Sequence, residues 1–369
     1  MKNISEELIH LMALSMTPNV GPVLGRTLIN HCGTAADVFK TQAKDLARIQ
    51  NVGEMRARLI DPKYIDLALE EIRYAEKNDI NILDYRSPLY PKRLRHFDYS
   101  PMVLYHRGQA SLNPQRTVGI VGTRTPTEAG RLTTERIVND LANIGVTIVS
   151  GLAHGVDGIA HKKSIERGIP TLGIMGSGMA TIYPAEHKDL YKKMIQGDGG
   201  VLTEFAHKTG PDKVNFPLRN RIIAALSDAI IVVESKSKGG SIITAEFANE
   251  YNKDVFAIPG RIDDEYAQGC NGLIKKHKAS LMESVEDLCY IMRWDSGKEG
   301  AKAVQTALFA NLTESEQLLF DLLRQEKGCT LDTLCYHFSK TPSEMSTMLL
   351  EMEFKGIVRS LPGKKYVVI

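Results

Sequence analysis

Four segments of the chain close an apolar run with glycine, hydroxyl or basic residues: Gly119-Ile-Val-Gly122-Thr123-Arg124, Ser150-Gly151, Gly176-Ser177-Gly178 and Lys236-Ser237-Lys238-Gly239-Gly240-Ser241. Glycine lets backbone N–H groups approach a ligand closely, hydroxyls add donors, and a helix start favours negative charge. Together they read as a cradle for phosphate groups. Arg124, Arg219, Asn220, Arg221, Lys236 and Lys238 lie in or beside these segments, and guanidinium forks suit phosphates. Tyr183 and Phe216, each followed by proline, are candidates for stacking a base.

Several chemistries are disfavoured by the same residues. Gly119-x-x-Gly122 is not GxGxxG, and Ser150-Gly151 stands where an NAD-binding fold places an acidic ribose ligand. No GxxxxGK(S/T) loop occurs. Asp157, Glu204 and Glu234 fall at strand or helix ends, but no pair of acids has a spacing that assigns general acid and base. The five cysteines, Cys32, Cys270, Cys289, Cys329 and Cys335, are odd in number and lack CxxC spacing. Neither a disulfide framework nor a metal site is expected, no cofactor is implied, and a reducing cytoplasm fits best. No run approaches about 18 uninterrupted apolar residues, so no membrane-spanning helix is expected.

Stepping outward, the cradle needs strands to aim it. Val118–Gly122, Val146–Gly151, Thr171–Gly176, Val201–Glu204, Ile230–Glu234 and Val255–Gly260 are apolar runs alternating with helical stretches. That alternation predicts an α/β fold, a Rossmann-like doubly wound parallel sheet whose ligands bind at the carboxyl ends of the strands. Residues 86–108, rich in Pro, Tyr and Arg, read as an irregular edge connection.

The flanks differ. Residues 1–85 contain an echo, Asn19-Val20-Gly21 and Asn51-Val52-Gly53, that reads either as a helix-hairpin-helix (SAM-like) unit gripping phosphate or as plain turns in a helical bundle. Past a charged linker, 293–303, residues 304–369 predict three helices, Thr313–Arg324, Thr330–Phe338 and Pro342–Lys355 capped by Gly356, and a hairpin of Val358–Leu361 and Tyr366–Ile369 around a Pro-Gly turn, a winged helix. The whole chain carries 46 basic and 44 acidic residues, a net charge of +2 that excludes a polybasic tail-driven binder. Resolved by segment the charge is −2 over 1–85, +4 over 86–292 and zero over 293–369. Anion binding is therefore expected in the middle segment.

The middle segment resembles the DNA-processing protein A family (DprA, also called Smf). The resemblance rests on Ile120–Arg124, on Ser150–Asp157 with Ala160-His161, on Ile182-Tyr183-Pro184 and on Phe216–Ile223. Gly240–Ala245, Pro259-Gly260 and Gly269–Ile274 continue it, so that it spans roughly residues 86–282. It implies a non-enzymatic single-stranded DNA-binding protein that forms a homodimer through the Rossmann-like domain and loads a RecA-type recombinase during natural transformation. Carried over, it makes Arg124 a phosphate contact with Gly122 and Thr123 as donors, and sets Arg219-Asn220-Arg221 and Gly240-Ser241 on the same edge. Departures occur at His154, Ala180 and His187, where the family usually has Arg, Asp and Asn. Less positive charge and a missing polar group imply weaker DNA binding or a shifted ligand.

Two further readings follow. The third helix of the winged segment carries Glu344, Glu351 and Glu353 before any base, which disfavours contact with a polyanion and favours a protein-interaction role. Gly239-Gly240 followed by Glu246 also echoes the PGGxGTxxE loop of nucleotide phosphoribohydrolases. The alternative is thus an enzyme acting on a nucleoside monophosphate, although Ile242-Ile243 replaces the inner Gly-Thr.

Overall fold

The computed structural model describes residues 5–294, 313–325, 329–354, 357–361 and 365–368. The chain divides into two compact units, Met1–Ser296 and Gly297–Ile369.

In the first unit, nine strands form one sheet: β1 (Asn81–Asp84), β2 (Val103–Gly108), β3 (Thr117–Val121), β4 (Thr147–Ser150), β5 (Thr171–Ile174), β6 (Gly200–Thr203), β7 (Ala229–Val232), β8 (Asp254–Ala257) and β9 (Ser280–Leu281). Their order is β1-β2-β6-β5-β4-β3-β7-β8-β9. From β3 the chain winds outward through β4, β5 and β6, then returns to β7 on the other side of β3 and winds outward again. All contacts from β6 through β9 are parallel. The reversal of winding makes β3 and β7 the topological switch point, where the loops that leave the two strands diverge and open a crevice.

Strands β3 to β7 are buried at every position because helices cover both faces. On one face, α10 (Asn215–Leu226) and α11 (Gly240–Glu250) pack Ile222, Ile223 and Ala245 against Val121, Val149 and Ile230. On the other, α7 (Glu128–Leu141) and α8 (Val156–Glu166) pack Ile137, Leu141 and Ala160 against Ile120 and Ile148.

The segment expected to be an irregular connection contains β2, and β1 lies before the expected boundary at residue 85. Both extend the sheet antiparallel, with Ile82 opposite Tyr105 and Tyr105 opposite Thr203. The four-residue β1 follows directly on a helix, and β2 ends in His106-Arg107, so neither carries the all-apolar signature of the central strands.

Upstream, α1 (Glu6–Met16), α2 (Pro22–Cys32), α3 (Ala35–Lys40), α4 (Ala43–Leu46), α5 (Gly53–Leu59) and α6 (Lys63–Lys77) belong to a helical layer whose core, including Leu11, Leu14 and Leu28, continues into Met102, Tyr105 and, on α9 (Lys188–Gln196), Tyr191 of the sheet region. The internal echo is a repeated turn: Asn19 and Asn51 both take left-handed φ, 61° and 65°. Arg26 of the first copy donates to the carbonyls of Asp98 and Ser100 and stacks over Tyr85, so it serves packing.

In the second unit, helices Glu314–Gln325, Leu331–Phe338 and Pro342–Phe354 stand with strands Cys329–Thr330, Val358–Leu361 and Lys365–Val368 around a core that includes Leu319, Leu334 and Leu349. This is the expected winged helix. Residues 295–303 of the linker expected at 293–303, the Gly356 cap and the Pro362-Gly363 turn lie outside the described residues.

Two of the first unit's buried imidazoles have strongly lowered pKa values. His161 of α8 contacts Thr171 Oγ1 at 2.7 Å through Nδ1, and burial lowers its pKa from 6.5 to about 3. Burial also lowers His106 to about 4. The unfolded chain therefore binds more protons than the native state as pH falls from 6.5 through these values, and stability falls with it. The urea midpoint should drop progressively from pH 6.5 to pH 4, and less steeply in His161→Gln; a flat midpoint over that interval would contradict the assignment.

Candidate nucleic-acid interface

The loops leaving β3, β4, β5 and β7 surround an open trough of about 690 Å³ that is continuous with a smaller recess. Gly122, Thr123 and Arg124 line the trough from β3, the Ser235–Ser241 run from beyond β7, and Arg219 and Asn220 from α10. Gly151, His154, Gly176, Ser177 and Tyr183 line the recess, and Arg124, Phe216 and Arg219 line both.

The two arginines of Arg219-Asn220-Arg221 part company. Residues two apart on a helix differ by roughly 200° in direction, so they cannot share a face. Arg219 points under the site. Only 4 % exposed, it donates through Nη1 to the carbonyls of Gly151 and Ile174 and through Nε to Asn220. Burial lowers its pKa to about 10, opposed by the nearby Asp157 carboxylate, so it stays charged at neutral pH. Burial likewise raises the Asp157 pKa, which Arg219 counteracts. Arg221 corrects the sequence expectation. It pairs with Glu204 and donates to the Tyr99 carbonyl, both away from the trough lining.

The hydroxyls also differ from the expected donors. Ser150 is fully buried and donates to Ile120 O at 2.6 Å. Ser177 donates to Thr181 O at 2.7 Å, and Ser241 to Ser235 Oγ at 2.8 Å. The Thr123 N–H is held by Glu234 O at 2.7 Å, so its hydroxyl, not its backbone, is the donor it offers. Each engaged group fixes a strand end and leaves no proton for a ligand.

Most of the glycines make room for the protein's own atoms. A methyl group at Gly122 would lie 2.6 Å from Val156 and one at Gly176 2.9 Å from Phe216, while Gly151 is overlaid by Arg219. Gly240 differs: nothing lies within 4 Å of its would-be Cβ. It opens the eleven-residue helix α11, which has no side-chain cap. Its unscreened N-terminus and the space beside it form the part of the cradle that fits the phosphate argument.

Among the described residues lining the trough, Arg124, Lys213 and Lys238 are exposed and form no ion pair, whereas Lys236 is held by Glu265 at 2.8 Å. Lys213 was missed from sequence because it stands in an unpatterned loop; only its closeness to the Phe216-Pro217 motif hinted at it. Arg124 lies 5.2 Å over the Phe216 ring, and Phe216 lies 5.8 Å from Tyr183 at a tilt of 42°. Cation and paired rings thus flank one recess, with Tyr183 44 % exposed.

Two of the three positions that depart from the family pattern, His154 and His187, meet beside the recess. His154 and His187 rings lie edge to face at 5.4 Å, and His154 is 3.8 Å from Glu186. Burial lowers the His187 pKa, helped by His154 and Lys162 and opposed by its hydrogen bond to Leu152 O.

Fold and site together define a Rossmann-like protein with a cationic, aromatic-lined trough at its switch point. The chain belongs to the DNA recombination-mediator protein A family, whose model matches residues 81–293, and residues 304–364 match the DprA winged helix domain. It is 30 % identical to Protein Smf of Synechocystis over 98 % of this chain and 99 % of that protein. It is 40 % identical to DNA processing protein DprA of Bacillus subtilis over 57 % of this chain and 70 % of that one. The crystal structure of DprA from Streptococcus pneumoniae matches with a TM-score of 0.64 at 28 % identity, covering 79 % of this chain and 99 % of that chain. A structure of DNA processing protein A from Helicobacter pylori, described for its single-stranded DNA binding mode, matches at 0.53 and 29 %, covering 58 % and 97 %.

Arg219 and Arg124 have separable roles. Arg219→Ala leaves Asp157 buried without its cation and two carbonyls without a donor, and should cost roughly 3 kcal/mol or more of stability by urea denaturation. Arg124→Ala should stay within about 0.5 kcal/mol of the parent. Equal effects would refute the division.

Proposed function

We propose that this chain is a single-stranded DNA-binding recombination mediator that grips a short stretch of strand in the trough. The observation that carries the reading is the meeting of three unpaired cations, Arg124, Lys213 and Lys238, with the Tyr183–Phe216 ring pair and the open N-terminus of α11 in one place. Phosphates take the cations and the helix start, and bases take the rings. The contacts assigned on this reading are Gly122, Thr123, Arg124, Tyr183, Lys213, Phe216, Asn220, Lys238 and Gly240, with Ser150, Gly151, Gly176, Ser177, Arg219 and Ser241 as their supports.

The phosphoribohydrolase alternative finds less support. Glu246 is exposed and lies 3.7 Å from Lys278, and Glu234 is engaged with Thr127 at the start of α7. The carboxylates lining the trough are Asp157, tied to Arg219, and Glu265, tied to Lys236. We propose no catalytic role for this chain. The homodimer through the sheet domain, a RecA-type recombinase partner and a role in natural transformation are proposals supported by family membership. A cytoplasmic location is proposed from the odd cysteine count, and no described helix is long and apolar enough to cross a membrane.

Fluorescence anisotropy with oligo-dT, duplex DNA and AMP at two salt concentrations tests the reading. Oligo-dT should bind tightest, and Arg124→Ala should lose roughly tenfold and flatten the salt slope by about one ion. Arg221→Ala should change the slope little. Comparable affinity for AMP, or release of a free base from it, would favour the enzyme. Deletion of residues 304–369 should leave oligo-dT affinity within about twofold; a larger loss with the first unit folded would assign the winged helix to DNA.

A further inference from the structure

The loop that joins β8 to α12 (Gln268–Lys275) is fastened at Tyr266 to two other strand-end loops. The Tyr266 carbonyl accepts the Ser235 N–H at 2.7 Å, and the Tyr266 hydroxyl lies 3.1 Å from Thr125 Oγ1 in the loop after β3. Three residues on, the Gly269 N–H donates to Ser235 O at 2.8 Å, and a Cβ at Gly269 would lie 2.6 Å from Lys236 O. These contacts press the loop onto the run that starts at Ser235. Glu265, next to the fastened tyrosine, is thereby set in the lining of the trough.

Glu265 is out of place there on electrostatic grounds. The other carboxylate of the lining, Asp157, is buried beside Arg219. Glu265 is exposed, in a lining whose other exposed charged residues are Arg124, Lys213, Lys236 and Lys238. It meets the Lys236 ammonium at 2.8 Å, with side chains 61 % and 46 % exposed, and the same ammonium lies 5.0 Å over the Tyr266 ring. The trough thus holds a fourth cation whose present partner is an anion of the protein.

We propose that Lys236 is a further phosphate ligand of the trough and that Glu265 occupies it until a strand arrives, the strand phosphate then taking the ammonium and Glu265 turning to solvent. An ion pair between exposed side chains is screened by water and contributes little, so exchanging one anionic partner for another is not opposed by a strong bond. Lysine suits the exchange: its charge is compact, its stem flexible and its three donors rotatable. The Tyr266 ring attracts the ammonium in both states and keeps it beside the trough. The exchange also shapes the salt dependence. A phosphate neutralised by Lys236 releases a counterion, but the freed Glu265 attracts one, so this contact adds little to the slope while Glu265 is present. The inference rests on the proposed DNA reading.

Oligo-dT anisotropy on the full chain, titrated with salt, tests it through a double-mutant cycle, with Arg124→Ala as the reference for the trough. Glu265→Gln should tighten binding about fivefold and steepen the slope by about one ion. In Lys236→Ala the same change should tighten it only about twofold, since only direct repulsion is removed. Lys236→Ala should cost about fivefold in the Glu265→Gln background and about twofold in the parent. The four Tm values should agree within about two degrees, because both side chains are exposed. An equal gain from Glu265→Gln with and without Lys236 would make Glu265 a repelling charge alone and overturn the exchange, as would a Lys236→Ala that loses nothing in the Glu265→Gln background. Where Arg124→Ala weakens binding as expected, either result overturns the exchange and leaves the DNA reading standing. Absence of oligo-dT binding, or equal binding by the parent and Arg124→Ala, overturns the DNA reading and the exchange with it.

Discussion

The site depends on a buried guanidinium. Past the carboxyl ends of parallel strands the connecting loops separate, and the last backbone carbonyls lose their ladder partners. Arg219 answers this at β4 and β5 by donating to Gly151 O and Ile174 O from one nitrogen, with Asp157 close enough to balance its charge. Desolvating a cation is expensive, and a lysine with one compact charge would not reach two carbonyls and Asn220 at once. The planar fork does, and so fixes the spacing of the strand ends on which Phe216, Gly176 and the recess are built.

That arrangement explains a division among the polar groups of the strand ends. Ser150, Ser177 and Ser241, the Thr123 N–H and Arg219 all look inward and satisfy backbone or side-chain acceptors of the protein. Arg124, Lys213 and Lys238 look outward. Groups of the first kind hold geometry, their protons taken by the protein's own acceptors. Groups of the second kind contribute field at little cost to stability. The net charge of +2 is small because many cations already face an acid, Arg93 with Asp228, Arg221 with Glu204 and Lys236 with Glu265 among them. Attraction for an anion is therefore local to the trough, within about a Debye length of three side chains.

Much of this was legible in the sequence. The six apolar runs, four of them ending in glycine, located β3 to β8 and their carboxyl edge, and the winged segment showed its helices and hairpin nearly to the residue, because long periodic patterns and caps are local signals. β1 and β2 were not legible, since a short edge strand with mixed side chains differs little from a loop. Arg221 was misplaced by reading motif adjacency as spatial adjacency; the helical angle between residues 219 and 221 argued otherwise. The serines lie beside the strand ends, with their hydroxyls turned to acceptors of the protein. Whether a hydroxyl faces a ligand or the carbonyl of a neighbouring strand depends on long-range register, here Ser150 against Ile120 across thirty residues of chain.

On the proposed reading the rings decide what kind of strand the trough suits. Cations attract any polyanion, so Arg124, Lys213 and Lys238 supply affinity without distinguishing single strand from duplex. The Tyr183–Phe216 pair supplies the distinction. In a duplex each base face is covered by its neighbours, and exposing one costs a few kcal/mol of stacking and pairing, whereas a single strand presents its bases already. Tyr183, 44 % exposed beside a ring already covered on one side by Arg124, offers a stacking face that a duplex cannot meet without unpairing. Strand selectivity on this reading rests on an aromatic edge next to a cationic trough, and the acids of the winged helix are not needed to repel the duplex. Glu344 accepts the backbone N–H and hydroxyl of Thr341, and Glu353 accepts the Ser360 N–H, so two of the three acids on that helix fasten its ends.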